Sequence, residues 1–282
     1  MNEFKGSSKY VVSEDLLRIV NISIALQKPL LIKGEPGTGK TMLAEAISEA
    51  LGKKLIIWNI KSTTKAQDGL YVYDTVQRLY DSQFGGEGVD DIKKYIKLGK
   101  LGEAFSDKEQ VILLIDEIDK ADEEFEAFLL ELLSEMQVTI PEVGTIKANS
   151  VPFVVLTSNR ARPLSEALRR RCAYLYIEYP DMEKELAILR AKLPHVDDRL
   201  CAQVALAVQK LRSNEAILKK PSIAETLDWA AALDALGIRE LTPDALRKTA
   251  GFVLKNNEDM AALEEEETSG CRCGGCEGHH HD

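Results

Sequence analysis

Eight consecutive residues carry chemistry on their face: Gly34-Glu35-Pro36-Gly37-Thr38-Gly39-Lys40-Thr41. They place two glycines, a lysine and a hydroxyl at the spacing Gly-x-x-x-x-Gly-Lys-Thr, which is that of a loop cradling phosphate. Glycine lets the backbone curl so that N–H groups converge on phosphate oxygens. A helix beginning at the end of the loop adds the positive end of its dipole. Lys40 is placed to reach the β- and γ-phosphates of ATP, and the Thr41 hydroxyl to offer an oxygen to Mg²⁺. The apolar run Pro29-Leu30-Leu31-Ile32 leads in and a helical stretch, Met42 to Leu51, follows. A chance glycine-rich turn would lack that strand–loop–helix setting.

A second group of reactive side chains lies further along. Val111-Ile112-Leu113-Leu114-Ile115 is wholly apolar and ends in Asp116-Glu117-Ile118-Asp119. Such a run suits a strand buried on both faces of a parallel sheet, with its acids at the carboxyl end, where α/β sheets bind ligands. Asp116 would hold Mg²⁺ through water, and Glu117 would polarise a water for attack on a γ-phosphate. By itself the run could be a strand meeting solvent; downstream of a phosphate loop the catalytic reading prevails. Phe153-Val154-Val155-Leu156 ends similarly in Thr157-Ser158-Asn159. Asn159 either orients the attacking water or simply caps a strand, and spacing alone leaves both open. A short helix from Leu164 to Leu168 runs into Arg169-Arg170-Arg171-Cys172. Three arginines there fit stabilisation of transition-state charge, against the alternative of a solvated basic turn.

These groups need a scaffold, and length and composition allow one. The 282 residues, 45% hydrophobic and 29% charged, suffice for one large domain or two ordinary ones. The net charge of −10 argues against a broad nucleic-acid surface. No apolar run nears membrane-spanning length and Met1–Tyr10 lacks a signal-peptide core, so the expected setting is cytoplasmic, without membrane association. Five cysteines, three of them crowded at the end, form no secreted-type disulfide framework.

The expected organisation follows. Residues 1–12 read as a flexible lead-in. An α/β core spans 13–180, starting with a helix capped by Ser13 that either flanks a nucleotide base or merely packs. Leu55 to Ile60 is the second strand, and 61–100 is a mixed polar stretch in which Lys61-Ser62-Thr63-Thr64 reads as surface loop. A helix bearing Phe125, Phe128, Leu129, Leu132, Leu133 and Met136 precedes a hairpin over 138–147 turning at Gly144. Tyr174 to Ile177 is the fifth strand. From 181 to 256 the pattern is helical, punctuated by Pro194, Pro221, Gly237 and Pro243, with Ser222 and Thr242 as caps. Residues 257–282 read as a disordered acidic tail. It ends in Cys271, Cys273, Cys276, His279, His280 and His281, donors for Zn²⁺ or Cu⁺ in number but not in a standard zinc spacing. A tail with no defined partner is the equal alternative.

The order of phosphate loop, acid-ended strand, hairpin, Asn-ended strand, arginine turn and helical lid resembles the AAA+ ATPases. It is more narrowly similar to the MoxR family, in the branch that accompanies von Willebrand factor A domain proteins and includes CoxD-like maturation factors. Gly34–Thr41, Leu114–Lys120, Thr157–Asn159, Arg170–Cys172, Gly69–Tyr71 and Ser222 with Glu225–Trp229 carry the match, which spans roughly 13–255. The resemblance implies a five-stranded parallel sheet of order 5-1-4-3-2 with a small all-helical lid. Residues Gly34–Thr41 match Walker A, Asp116 and Glu117 match Walker B, and Asn159 matches sensor 1. Arg171 best matches the finger that reaches a neighbouring subunit's nucleotide, with Arg170 second. A homo-oligomeric ring, commonly a hexamer, is implied, as are a von Willebrand factor A partner and a client metalloenzyme. The lid departs from the pattern: Pro221-Ser222-Ile223-Ala224-Glu225 holds no sensor-2 arginine, and Lys219 and Lys220 are out of register. The resulting expectation is an ATP-hydrolysing chaperone for metalloenzyme maturation; the alternative is a nucleic-acid motor or loader.

Overall fold

The apolar runs pair side by side because none of them has a polar face to give to water. A computed structural model describes residues 3–7, 10–84, 91–140, 144–159 and 162–270. The tail residues Cys271, Cys273, Cys276, His279 and His281, with His280, lie outside them, as do Gly85–Gly88 and Pro141.

Five strands form the main sheet. In the chain's numbering they are β1 (Leu30–Gly34) and β2 (Leu55–Asn59), then, beyond the short β3 (Tyr71–Tyr73) and β4 (Ile96–Leu98), β5 (Ile112–Asp116). Past the ribbon of β6 (Gln137–Ile140) and β7 (Gly144–Lys147) come β8 (Phe153–Ser158) and β9 (Ala173–Ile177). Their order is β2-β5-β8-β1-β9 with every pairing parallel, which read from the β9 edge is the expected 5-1-4-3-2. All of β8 is buried, and in β5 only the terminal Asp116 is not. Helices α1 (Glu14–Ala25) and α2 (Lys40–Leu51) cover one face, where Val20, Leu43 and Ile47 meet Ile32, Leu114 and Val155.

The other face is covered in part by elements of the stretch read as mixed and polar. It folds into α3 (Ala66–Leu70), the β3–β4 ribbon, α4 (Thr75–Phe84) and α5 (Lys100–Ser106). Phe105 of α5 joins Phe125 and Leu129 of α6 (Glu123–Glu135) against Leu113, Ile115 and Leu156. The local periodicity there is diluted by exposed charge, which is why the sequence pattern under-reads it. The β6–β7 hairpin exists, but Gly144 pairs with Ile140 and opens the return strand instead of forming the turn. The short helix near the arginines is α7 (Glu166–Arg171), so Arg169–Arg171 form its last turn instead of following it.

The chain divides into two compact units, residues 1–178 and 179–282. The second is all helical: α8 (Met182–Lys192), α9 (Asp198–Ser213), α10 (Ile223–Ala235), α11 (Pro243–Thr249) and α12 (Asn257–Gly270). Trp229 is fully buried at its centre and donates to Thr249 Oγ1 at 2.8 Å. Ser222 and Glu225 form a capping box, and Thr242 caps α11 with Pro243 in the first turn. The acidic stretch from 257 is helical, unlike the tail expected there, because it has buried anchors. Asp259 is fully buried and accepts from the backbone N–H groups of Leu218 (2.6 Å) and Lys219 (3.2 Å). The amino-terminal lead-in is also held. Phe4 is buried, and its backbone exchanges two hydrogen bonds with the Asn21 side chain, at 2.8 and 2.9 Å.

Candidate active site

Strands β5, β8 and β1 are neighbours and parallel, so their carboxyl ends share one edge of the sheet. The loop Gly34–Thr41 leaves β1 at that edge and enters α2 at Lys40. Gly39 has φ +87°, a conformation that costs L side chains, and it turns the chain into the helix. A Cβ on Gly34 would lie 2.5 Å from the Ile177 carbonyl of β9, so the loop's first position must also be small. Pro36 and Gly37 form the exposed crest. Thr38 Oγ1 donates to the Glu35 carbonyl at 2.8 Å and is buried beneath it. Tyr10, from the lead-in, lays its ring beside Gly39.

Lys40 is only 6% exposed. Its ammonium donates to the carbonyls of Glu35 (2.7 Å) and Gly34 (3.1 Å). Burial pushes its pKa below the ordinary lysine value, while the carboxylates of Asp116, Glu35, Asp119 and Glu117 pull the other way. A lysine held dry among acids is a cation looking for anionic oxygen.

The acids arrive from β5. Thr41 Oγ1 donates to Asp116, 3.2 Å from Oδ1 and 3.3 Å from Oδ2. Thr157 Oγ1 also donates to Asp116 Oδ1 and accepts the backbone N–H of Glu117 at 2.9 Å. Glu117 takes a left-handed conformation, φ +59°, rare for a residue with a side chain and characteristic of functional turns. Its carboxylate is held at both ends: Asn159 Nδ2 donates to Oε1 at 2.8 Å, and Lys120 Nζ pairs with Oε2. The Asn159 N–H in turn donates to both oxygens of Asp119, each at 3.2 Å, and Asp119 is buried. Thr41, Asp116, Thr157, Glu117 and Asn159 thus belong to one hydrogen-bonded network, with the Lys40 ammonium in the field of its acids.

The arginines are elsewhere on the same unit. Arg170 pairs with Glu166 one turn back on α7, and Arg171 Nε donates to Ser134 Oγ of α6 at 3.1 Å. Both side chains are exposed. In the helical unit, Arg212 is committed to buried Glu185, Lys219 Nζ lies 3.7 Å from Glu225, and Lys220 Nζ donates to the Asn214 carbonyl. Three residues of the network, Thr157, Asp119 and Lys120, receive no role from the sequence alone. Thr157 and Asp119 each sit inside a quoted motif, but their partners are about forty positions away, at separations of 41 and 40. Among the described residues no group of three or more His, Cys, Asp or Glu side chains is placed to hold a metal ion by itself. None of the described helices is long and apolar enough to cross a membrane.

Comparison with known proteins gives the family. Residues 30–178, more than half of the chain, match the model of the ATPase family associated with various cellular activities (AAA), and the chain belongs to that family. A relative, Midasin of Giardia intestinalis, is 37% identical over 102 residues, 33% of this chain but only 2% of that protein. An uncharacterised protein, YojN of Bacillus subtilis strain 168, is 28% identical over 243 residues, covering 84% of this chain and 72% of its own length. Among solved structures, a point mutant of Thermotoga maritima RuvB superposes with a TM-score of 0.55 over 92% of this chain and 75% of that one. At 18% identity that likeness concerns the fold alone.

Proposed function

We propose that this chain is a Mg²⁺-dependent ATPase of the MoxR type, working as a homo-oligomeric ring to remodel a partner protein during metalloenzyme assembly. One observation carries the hydrolytic part: a buried phosphate-loop lysine beside a hydroxyl–carboxylate pair that Thr157 links to a restrained glutamate, all at the carboxyl edge of a parallel sheet. In this reading Lys40 exchanges its loop carbonyls for β- and γ-phosphate oxygens. Thr41 and Asp116, hard oxygen donors already within hydrogen-bond reach of each other, fit Mg²⁺ and would hold it. The ion when bound supplies neutralisation of the phosphate charge. Glu117 accepts the proton of the attacking water while Asn159 fixes its orientation, and ADP and phosphate leave. The MoxR assignment and the von Willebrand factor A partner rest on motif resemblance. The net charge of −10 favours a protein partner over nucleic acid.

Glu117→Gln is expected to keep ATP binding and to reduce turnover by at least about 10²-fold, in line with loss of a positioned general base. Steady-state phosphate release alongside equilibrium nucleotide binding measures the two separately, and near wild-type release would remove Glu117 from its role. The same trapped variant, used as bait, is expected to retain the partner protein.

A further inference from the structure

The two exposed arginines of α7 stand on a helix whose start is gripped by buried charge. Glu126 of α6 is only 2% exposed. Its Oε1 pairs with the Arg162 guanidinium at 2.5 Å, and its Oε2 accepts the Ser165 backbone N–H at 2.8 Å. Ser165 is the residue that caps α7, its hydroxyl accepting the Leu168 N–H at 3.3 Å. Arg162 is fixed in turn. Its Nε donates to the Ala121 carbonyl at 2.7 Å and a second nitrogen to the Asp122 carbonyl at 3.3 Å, where the chain enters α6. Leu164 and Leu168, on either side of the cap, are buried in the same cluster as Phe125 and Leu129 of α6. At its far end α7 meets α6 again, through Arg171 and Ser134, but that tie is exposed. Stability alone does not call for ions at the cap. Burying a carboxylate and a guanidinium costs about as much as their attraction returns, so an apolar pair of similar size would hold the helix as well. Apolar contact has no preferred direction, whereas a carboxylate shared between a planar guanidinium and a backbone N–H admits one arrangement.

Resting on the reading of the chain as a ring ATPase in which Arg171 completes a neighbouring copy's site, we infer that Glu126 and Arg162 are positioning residues for that neighbour. They set the place and axis of α7, and so where Arg171 arrives. The helix has only six residues, so a tilt at its cap is passed on to the arginine. The chain's own Lys40 contacts, Thr41–Asp116 pair and Glu117–Asn159 contact involve neither residue. Damage to the ion pair is therefore felt across the boundary between copies, not within the copy that carries it.

The test uses the full chain with ATP and Mg²⁺. Glu126→Gln keeps the side chain's shape and an acceptor for Ser165, and removes the charge. Its kcat is expected to fall about 10- to 100-fold, the scale of a misplaced catalytic group, with equilibrium ATP binding and assembly by sedimentation unchanged. Arg162→Lys leaves Glu126 a cation but loses the fork to Ala121 and Asp122. It is expected to fall likewise, and it carries the test should Glu126→Gln assemble poorly. The deciding measurement mixes each variant with Glu117→Gln. The variant chains keep an intact Glu117 and the Glu117→Gln chains a well-placed Arg171, so mixed assemblies are expected to hydrolyse ATP faster than either alone. A role in the fold alone, or in the copy's own site, would give no such recovery. The parent's kcat in both variants, or no recovery on mixing, overturns the inference. Arg171→Ala mixed with Glu117→Gln is the control. If that mixture recovers while the Glu126 and Arg162 mixtures do not, only the positioning role fails; if it does not recover either, the action of Arg171 between copies fails and the positioning role falls with it.

Discussion

At the residue scale the site is governed by hydroxyls that hold carboxylates in place. Thr157 is fully buried, and its single hydroxyl serves two neighbours at once, donating to Asp116 and accepting from the Glu117 backbone. It therefore couples the orientation of the proposed metal ligand to the strained turn that presents the proposed base. Replacing it by valine conserves shape but leaves the Glu117 N–H without that acceptor and frees the Asp116 carboxylate to rotate. Thr157→Val is expected to raise the half-saturating Mg²⁺ concentration by about 10- to 100-fold, the usual effect of losing an outer-shell partner. The accompanying stability loss should be about 1–3 kcal/mol for an unsatisfied buried donor. Mg²⁺ titration of phosphate release, paired with denaturant unfolding, checks both; unchanged Mg²⁺ dependence would mean that Thr157 only packs.

At the scale of elements, the helical unit is tied together by charge in its interior. Glu185 on α8 is fully buried and receives Arg212 of α9 at 2.7 and 2.8 Å, Gln209 at 2.7 Å and Thr226 of α10 at 2.9 Å. Arg212 also donates to the carbonyls of Pro221 (2.8 Å) and Pro180 (3.3 Å) and stacks over the Tyr179 ring, 4.9 Å from its centroid. One arginine thus joins three helices to the chain that enters the unit. Arg212→Met would leave Glu185 charged, buried and short of its cation, and is expected to cost about 3–5 kcal/mol. Chemical denaturation should show the loss; a variant as stable as the parent would mean that Glu185 is satisfied by Gln209 and Thr226 alone. The same network bears on the absent lid arginine, because Arg212, which reaches the Pro221 carbonyl, is fully engaged in holding the unit together.

At the scale of the whole molecule the unused charges point outward. Arg170 and Arg171 sit exposed on the last turn of α7, one paired with Glu166 and the other resting on Ser134. Contacts of this exposed kind contribute little to stability, so both side chains can be recruited elsewhere at small cost. If Arg171 completes a neighbouring copy's site, Arg171→Ala should lower kcat by about 10³-fold without dissolving the assembly seen by sedimentation. Mixing it with Glu117→Gln sharpens the test. Each variant is inactive alone, yet mixed rings would juxtapose an intact glutamate with a neighbour's intact arginine and regain activity. Failure to regain any would rule out action between copies.

The residues proposed to do chemistry were legible because their motifs are local. Gly34 to Thr41 must be contiguous to wrap a phosphate, and Asp116-Glu117 must sit at the end of an apolar strand. The parallel sheet and its helical covering also follow from the short all-apolar runs of β1, β5 and β8, which have no alternative to burial on both faces. Other features depended on partners distant in the chain. Thr157 gained its place from the β5–β8 register, which sets Ile115 beside Leu156 and brings the following residues together. Helix α12 reads as a disordered acidic tail until Asp259 meets two backbone donors some forty positions earlier. The stretch 61–100 reads as polar because its apolar residues are spread over several short elements. Spacing along the chain thus determined which groups could act, since local geometry is set by neighbours. Which of those groups touch only the tertiary structure decided, because the hydrogen bonds from Thr41, Thr157 and Asn159 to the acids are settled by what arrives from elsewhere in the chain.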